Sequence, residues 1–293
     1  MISRQHIRQF LAVVDTGSFT RAAESIGIAQ PSLSSGIREL EERLGEPLFD
    51  RQRPAVRLTA AGNRLLPIAR RINSEFLRAE RDIPGLATKA RPFILGVMPT
   101  LPIAKLALAA GQLIGLELEI VEKDAASLLR AVRQGRIDCA LADHSAHDTE
   151  GLEILPLFHE EYGVLLPGDH RLAEQTVVDA EELAGDVMIA RRSCERLRET
   201  SAFFTSRGVR PRFSFKSHND ERALALVAAG VGITVAPRSL AIAGTRFAIL
   251  ADFNLRRNIG LAARAGDYAG AGAYRQQCDR LFAAFRAAFN DRA

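Results

Sequence analysis

Apolar residues in the first part of the chain fall at helical intervals. Ile7, Phe10, Leu11 and Val14 stand at i, i+3, i+4 and i+7, which predicts a helix with one buried face. Gly17 ends it, and Ser18 is placed as the N-cap of a second helix with an apolar face of Phe19, Ala22, Ala23 and Ile26. Gly27 supplies a tight stop, and Pro31 sits where a first helical turn tolerates proline. A third helix then carries Leu33, Ile37, Leu40 and Leu44 on one face and closes at Gly45. Helix, short glycine turn, helix is the arrangement of a helix-turn-helix. Opposite the leucines the third helix carries Ser32, Ser35 and Glu39, flanked by Pro31, Gly36 and Arg38. Small polar residues near a helix N-terminus let it enter a major groove. A plain three-helix bundle with a solvated polar face fits the same spacing.

Residues 47–59 read as two short strands about a turn, with Arg51, Arg53 and Arg57 along them. A basic hairpin behind a helix-turn-helix is a wing, whose arginines grip phosphates or enter a minor groove. The alternative is a surface hairpin with incidental arginines. Thr59 then caps a long helix in which Leu65, Ala69, Ile72, Phe76, Ala79 and Ile83 keep a heptad seam. Its other face is charged, with Arg70, Arg71, Glu75, Arg78 and Arg81, so the seam suits pairing of two chains better than packing on the chain's own domains. Pro67 should bend this helix, Pro84-Gly85 stops it, and residues 89–92 read as a hinge.

From Phe93 the periodicity changes to alternating strands and helices. Strands are expected at 93–97, 116–121, 137–141, 154–158, 162–166, 187–190, 212–215, 233–235, 247–250 and 258–262, and helices at 103–113, 128–132, 195–206, 220–229 and 273–289. This alternation predicts a mostly parallel sheet covered by helices. The segment is long enough for two lobes, with ligands in the crevice between them at strand C-terminal ends.

Composition adds limits. At 293 residues, 47% hydrophobic and 25% charged, the chain is globular with two or three domains, which excludes disorder, collagen and a lone coiled coil. The net charge is +4, but residues 1–91 hold 15 Lys/Arg against 10 Asp/Glu, and the remainder is nearly neutral. The basic excess therefore lies with the helix-turn-helix, as an anion-binding module requires. Nearly all of it is arginine, because only Lys89, Lys105, Lys123 and Lys216 are lysines. The start of the chain has no apolar signal region, and the longest apolar run, Ala223 to Ala236, is short of the roughly 20 residues of a membrane helix. Cys139, Cys194 and Cys278 lie far apart without CxxC spacing, so neither a zinc site nor a disulfide framework is expected. A reducing cytoplasm, with no membrane partner, is the expected setting.

Phe19-Thr20-Arg21-Ala22-Ala23-Glu24, Gln30-Pro31-Ser32-Leu33-Ser34, Leu40-Glu41, Leu44-Gly45, Leu48-Phe49-Asp50-Arg51 and Leu58-Thr59-Ala60-Ala61-Gly62 together resemble the LysR-type transcriptional regulators. Further landmarks are 94–97, 135–141, 226–233 and Pro237. The resemblance implies an α+β multidomain fold: a winged helix-turn-helix over 1–58, a dimerising linker helix and hinge over 59–91, and a two-lobed effector domain over 92–293 like a type 2 periplasmic binding protein. The first lobe would take 92–161 and 265–293, the second 162–264. It also implies a homodimer or homotetramer, double-stranded DNA with an interrupted palindromic operator, a small-molecule effector and contact with RNA polymerase, with no cofactor and no metal.

Carried over by position, Gln30, Pro31, Ser32 and Ser34 begin the recognition helix, and Gln30 suits bidentate contact to adenine. The chain departs from the family where Ser35 and Gly36 replace a common arginine and glutamine. Gly36 costs the helix up to ~1 kcal/mol relative to alanine. Weaker direct readout is expected, with Arg38 and the wing arginines compensating. The resemblance places the effector near Pro99, Thr100 and Leu101 on one side and Arg192, Ser193 and Cys194 on the other. A hydroxyl and free helix N–H groups at Thr100 suit a carboxylate, and ordinary N-capping suits them equally. Arg191 or Arg192 could meet an acidic ligand or be surface charge. Asn219 reads as an N-cap, with His218 a further pocket candidate.

Cys194 lies among Arg191, Arg192 and Arg196 near a helix start, surroundings that favour thiolate. A thiol-based, oxidant-responsive regulator is therefore the alternative, though no second cysteine lies near in sequence and a pocket-lining role is preferred. An enzyme is disfavoured: no GxSxG, HExxH, Walker A or GxGxxG pattern occurs, and His159-Glu160-Glu161 lacks a second metal-spaced histidine. A transport solute-binding protein would leave the basic N-terminal module unexplained.

Overall fold

The structure, a computed structural model, describes residues 1–50, 56–82 and 92–290. It forms two compact units, taken separately below.

The N-terminal unit contains α1 (Arg4–Thr16), α2 (Phe19–Ser25), α3 (Gln30–Leu44), β1 (Phe49–Asp50), β2 (Arg57–Leu58) and α4 (Ala60–Asp82). Local capping fixes each boundary. Ser3 and His6 close a reciprocal capping box on α1, and Gly17 ends it in the left-handed conformation at φ 63°. The Ser18 side chain accepts the Arg21 N–H at the start of α2. Ile7, Phe10, Leu33, Ile37, Leu40, Leu48 and Phe49 form the core, each large side chain stabilising by about 1.5–3 kcal/mol when buried. The Phe49 ring lies 5.4 Å from Phe10 and 5.6 Å from Phe19, which pins the first wing strand to the helices. Glu41 Oε1 accepts the N–H groups of Leu48 (2.8 Å) and Phe49 (3.3 Å), fixing the approach to β1. β1 and β2 pair antiparallel, Phe49 opposite Leu58. Thr59 caps α4 by accepting the Gly62 N–H at 3.1 Å.

Two expectations change here. Leu44 is 38% exposed rather than buried, because α3 outruns the core at its last turn. The seam of α4 is divided: Leu65 and Ala69 pack on the unit's own core, whereas Ile72 and Phe76 are exposed together with Ile68. Ile83, the Pro84-Gly85 stop and the hinge up to residue 91 lie outside the described residues.

The second unit contains β3 (Phe93–Val97), α5 (Ile103–Gly111), β4 (Leu118–Glu122), α6 (Ala125–Arg133), β5 (Cys139–Asp143), β6 (Leu152–Pro167), β7 (Val177–Val178), β8 (Val187–Arg191), α7 (Leu197–Ser206), β9 (Arg212–Ser217), α8 (Asp220–Ala228), β10 (Thr234–Pro237), β11 (Thr245–Leu250), β12 (Arg256–Arg264), α9 (Ala265–Tyr268) and α10 (Ala273–Asn290). An eight-stranded sheet runs β4-β3-β5-β12-β6-β11-β7, with β10 also on β6, and β8 pairs with β9. The sheet is mixed, not mostly parallel. β3 is parallel to β4 and β5, but β12 is antiparallel to β5 and β6, and β10 and β11 are antiparallel to β6.

Two lobes share the long strand β6, expected as two strands. Its Leu152–Glu161 half pairs with β12, and its Tyr162–Pro167 half pairs with β10 and β11. The chain also returns to the first lobe earlier than expected. Residues 256–264, assigned to the second lobe from sequence, form β12 in the first lobe's sheet, because their register is with β5 and the first half of β6. The segments after β3, β5 and β8 thus meet β6 and β12 where the lobes join.

Candidate functional site

On α3, Gln30, Pro31, Ser32, Ser35 and Arg38 face solvent, Ser34 is half-buried, and Leu33, Ile37 and Leu40 turn inward. Among the described residues, the side chains of Gln30, Ser32, Ser35 and Arg38 make no hydrogen bond or ion pair, so their polar atoms are available. Ala29 caps α3 without a side-chain bond, which leaves N–H groups at the helix start open to an anion. Glu39, on the same polar face, is committed. Its carboxylate takes Arg43 and, at 3.3 Å, His6 Nε2, and these two partners hold its pKa below the usual value. Arg57 is exposed on β2, while Arg51 and Arg53 lie outside the described residues.

Gly36 has a packing reason the sequence did not reveal. A Cβ there would stand 2.1 Å from Gln9 Oε1, and Gln9 is itself 2% exposed between α1 and α3. The glycine lets the amide of Gln9 lie against the α3 backbone.

In the second unit the expected effector residues divide. Pro99, Arg192 and His218 are exposed, Leu101 is buried, and Asn219 caps α8 by accepting the Arg222 N–H. Arg191 is committed within the protein. It is buried against Asp220, which also accepts the Ser193 hydroxyl at 2.6 Å, and it donates to Val235 O. Buried charge without a partner is too costly to leave there.

Thr100 is where the lobes join. Its hydroxyl lies 3.2 Å from Glu195 Oε1 and accepts Arg257 Nη1 at 2.9 Å. Glu195 Oε1 also accepts Arg257 Nη1 at 2.8 Å and the Tyr162 hydroxyl at 2.5 Å. Fully buried Arg257 further donates Nε to Glu160 Oε1 at 2.8 Å and Nη2 to Thr100 O at 3.1 Å. Glu160 in turn accepts the Ser239 N–H and hydroxyl. Burial works to raise the Glu195 carboxyl, but the Arg257 charge and the Tyr162 bond outweigh it and hold the pKa below the usual value. Its second oxygen is buried with no hydrogen-bond partner. A second tie crosses the same junction: Arg196 Nη2 donates to Asp143 Oδ2 at 3.0 Å, and Asp143 is also bonded by Ser145 and the Asn258 N–H.

Of this constellation the sequence singled out Thr100 alone. Glu195 and Arg196 adjoin the flagged Cys194. Arg257 and Glu160 belong to the doublets Arg256-Arg257 and Glu160-Glu161, which stand opposite each other in register.

The arginines around Cys194 do not outweigh its burial. Burial pushes its pKa up; Arg191 opposes this, and Glu195 and Asp220 add to it. Cys139 and Cys278, distant in sequence, are fully buried side by side between β5 and α10, and burial together with the Cys278 thiol raises the Cys139 pKa. Among the described residues no His/Cys/Asp/Glu group is arranged to hold a metal, and no helix is long and apolar enough to cross a membrane.

The family described as "Bacterial regulatory helix-turn-helix protein, lysR family" matches residues 4–63, and "LysR substrate binding domain" matches residues 105–286. The chain belongs to the LysR family of transcriptional regulators, with a helix-turn-helix and an effector-binding domain. It is 35% identical over 240 residues to the HTH-type transcriptional regulator ShiR of Corynebacterium glutamicum (strain R), covering 77% of this chain and 79% of that one. It is 31% identical over 240 residues to the Hca operon transcriptional activator HcaR of Escherichia coli (strain K12), covering 80% and 81%. Among solved structures, a full-length OxyR variant from Pseudomonas aeruginosa is similar with a TM-score of 0.69 at 22% identity, covering 98% of this chain and 95% of that one. Full-length CbnR in complex with its target DNA is similar with a TM-score of 0.55 at 20% identity, covering 98% and 100%. These structural likenesses speak to the fold.

Proposed function

We propose that this regulator reads an interrupted palindromic operator with Gln30, Pro31, Ser32, Ser34, Ser35 and Arg38 of α3 in the major groove and with Arg51, Arg53 and Arg57 on the wing. Its effector is a small carboxylate bound where the lobes join. The observation that carries the effector class is the placement of Glu195: Thr100, Arg257 and Tyr162 already converge on a carboxylate oxygen. A free carboxylate presents the same acceptor chemistry and competes with Glu195 for these donors. Cys194 is a buried pocket-lining residue of the second lobe rather than a redox centre.

Exposed Ile68, Ile72 and Phe76 on α4, and Ile103, Leu108, Ile114 and Ile120 in the first lobe, support a homodimer that pairs further into a tetramer. The protein works in the cytoplasm without a cofactor or catalytic activity, and its output passes through contact with RNA polymerase.

A thermal-shift screen of small carboxylates, with amines and neutral analogues beside them, tests the effector class. A carboxylate should raise the melting temperature of the wild type and not of Thr100→Val. If only amines or neutral compounds stabilise the protein, the carboxylate reading fails. For the operator, once genome-wide mapping has located it, Arg38→Ala and Arg53→Ala should each weaken binding and lower the salt slope by about one. An unchanged slope for Arg53→Ala would remove the wing from the interface.

A further inference from the structure

The second lobe contains a cavity of about 370 Å³ between α7 and the strands β8, β9 and β10, separate from the Thr100 junction. An apolar cavity of ~150 Å³ accommodates one benzene, so this one has room for a two-ring body. Met188, Ala190, Cys194, Phe204 and Val209 line its buried part, with Phe213 at the exposed mouth.

The polar groups in its wall are mostly committed. Thr200, Thr205 and Thr234 donate their hydroxyls to the carbonyls of Arg196, Ser201 and Ile189. Arg191 is tied to Asp220 and Val235 O. A ligand inside therefore meets almost no free donor, which selects an apolar body. Arg210, by contrast, is exposed at the mouth and makes no ion pair with any described residue.

From these observations we infer that the second lobe carries a ligand site of its own, for a small molecule with an apolar, ring-sized body and one anionic head. The body fills the cavity under α7, and the head meets Arg210 at the mouth. The inference does not depend on the carboxylate site at Thr100. The wall also includes Cys194 and Leu197, which bracket the two residues that cross to the first lobe, Glu195 and Arg196. Occupancy thus bears on the turn that ties the lobes together.

The test uses the full chain and naphthalene-1-sulfonate as probe, followed by calorimetric titration. One saturating site per chain is expected. Ser201→Phe, which puts a ring into the cavity from α7, should weaken the probe by at least about tenfold through lost apolar burial. Arg210→Gln removes a solvent-exposed pairing and should weaken it roughly threefold, with no effect on the neutral analogue naphthalene-1-methanol. Thr100→Val should retain saturable binding. Should Ser201→Phe melt early, Thr205→Phe on the same helix takes its place. Absence of saturable binding, unchanged affinity in the ring-filled variant, or loss of binding in Thr100→Val would each overturn the site, the last by moving the probe to the lobe junction.

Discussion

Arg257 is the residue on which the lobe junction depends most. It is fully buried, and its charge is matched by Glu160 and Glu195 together. Such a group stabilises little over an apolar substitute, yet removing one member leaves the others charged and dry. Arg257→Met should therefore cost about 3–5 kcal/mol in urea unfolding. A loss below about 1 kcal/mol would mean that water reaches Glu160 and Glu195. Glu195 adds a pH signature. Its native pKa is lowered from the usual 4.5, so its contribution is complete above 4.5 and disappears as pH falls through the native value. The melting-temperature gap between wild type and Glu195→Gln should hold at neutral pH and close on acidification. A gap that widens in acid contradicts the arrangement. Why this site was only partly legible follows from the same residues. Two adjacent arginines facing two adjacent glutamates must, by strand alternation, send one of each inward, but the choice depends on the β6–β12 register, which no local pattern encodes.

The N-terminal helices were legible almost to their ends because their signals are local: Ser18, Thr59 and the glycines at 17 and 45 act within one turn of themselves. Most strands were found individually, with β7 missed and β6 read as two, but their order and direction were not, since β6 runs through two lobes and β12 returns between β5 and β6. Gly36 lies between these cases. Its helical cost was visible, whereas the contact that requires it comes from Gln9 on α1. Alanine at 36 gains up to ~1 kcal/mol of helix propensity but must displace a buried amide, an overpacking cost of about 1–3 kcal/mol. Gly36→Ala should thus destabilise the wild type and become neutral or stabilising when Gln9 is also alanine. A double-mutant cycle measures this, and additive effects would show that the two positions do not interact. Gly62 is a stricter case, because a Cβ there would lie 2.3 Å from the carbonyl oxygen of Leu48. That backbone is fixed by Glu41, so Gly62→Ala should lower stability by about 1–3 kcal/mol in urea titration. On α4, the outward Ile72 and Phe76 predict that Phe76→Glu reduces the assembled fraction in sedimentation while leaving the melting of the helix-turn-helix core in place. An unaltered sedimentation profile would exclude this stripe from the dimer.

Signalling through the effector domain requires two lobe arrangements whose balance a ligand shifts, and a ligand shifts it only by its differential affinity. Two ties from the turn before α7 join the lobes, Glu195 to Thr100 and Arg257, and Arg196 to Asp143. If the effector acts by taking the place of Glu195, weakening that carboxylate imitates part of ligand binding. A hydrogen bond to a charged group contributes about 1.5–3 kcal/mol, equivalent to roughly a ten- to hundredfold change in the balance. Glu195→Gln should accordingly move basal reporter transcription toward the effector-induced level and shrink the remaining response. Arg196→Gln should move it in the same direction without altering which carboxylates bind, because Arg196 does not share the Thr100 donors. Operator affinity without effector, read on the same variants, separates a changed balance from a damaged DNA-binding unit, whose residues neither substitution touches. If Glu195→Gln keeps the basal level and the full response of the wild type, Glu195 does not compete with the effector, and the ligand acts elsewhere in the domain.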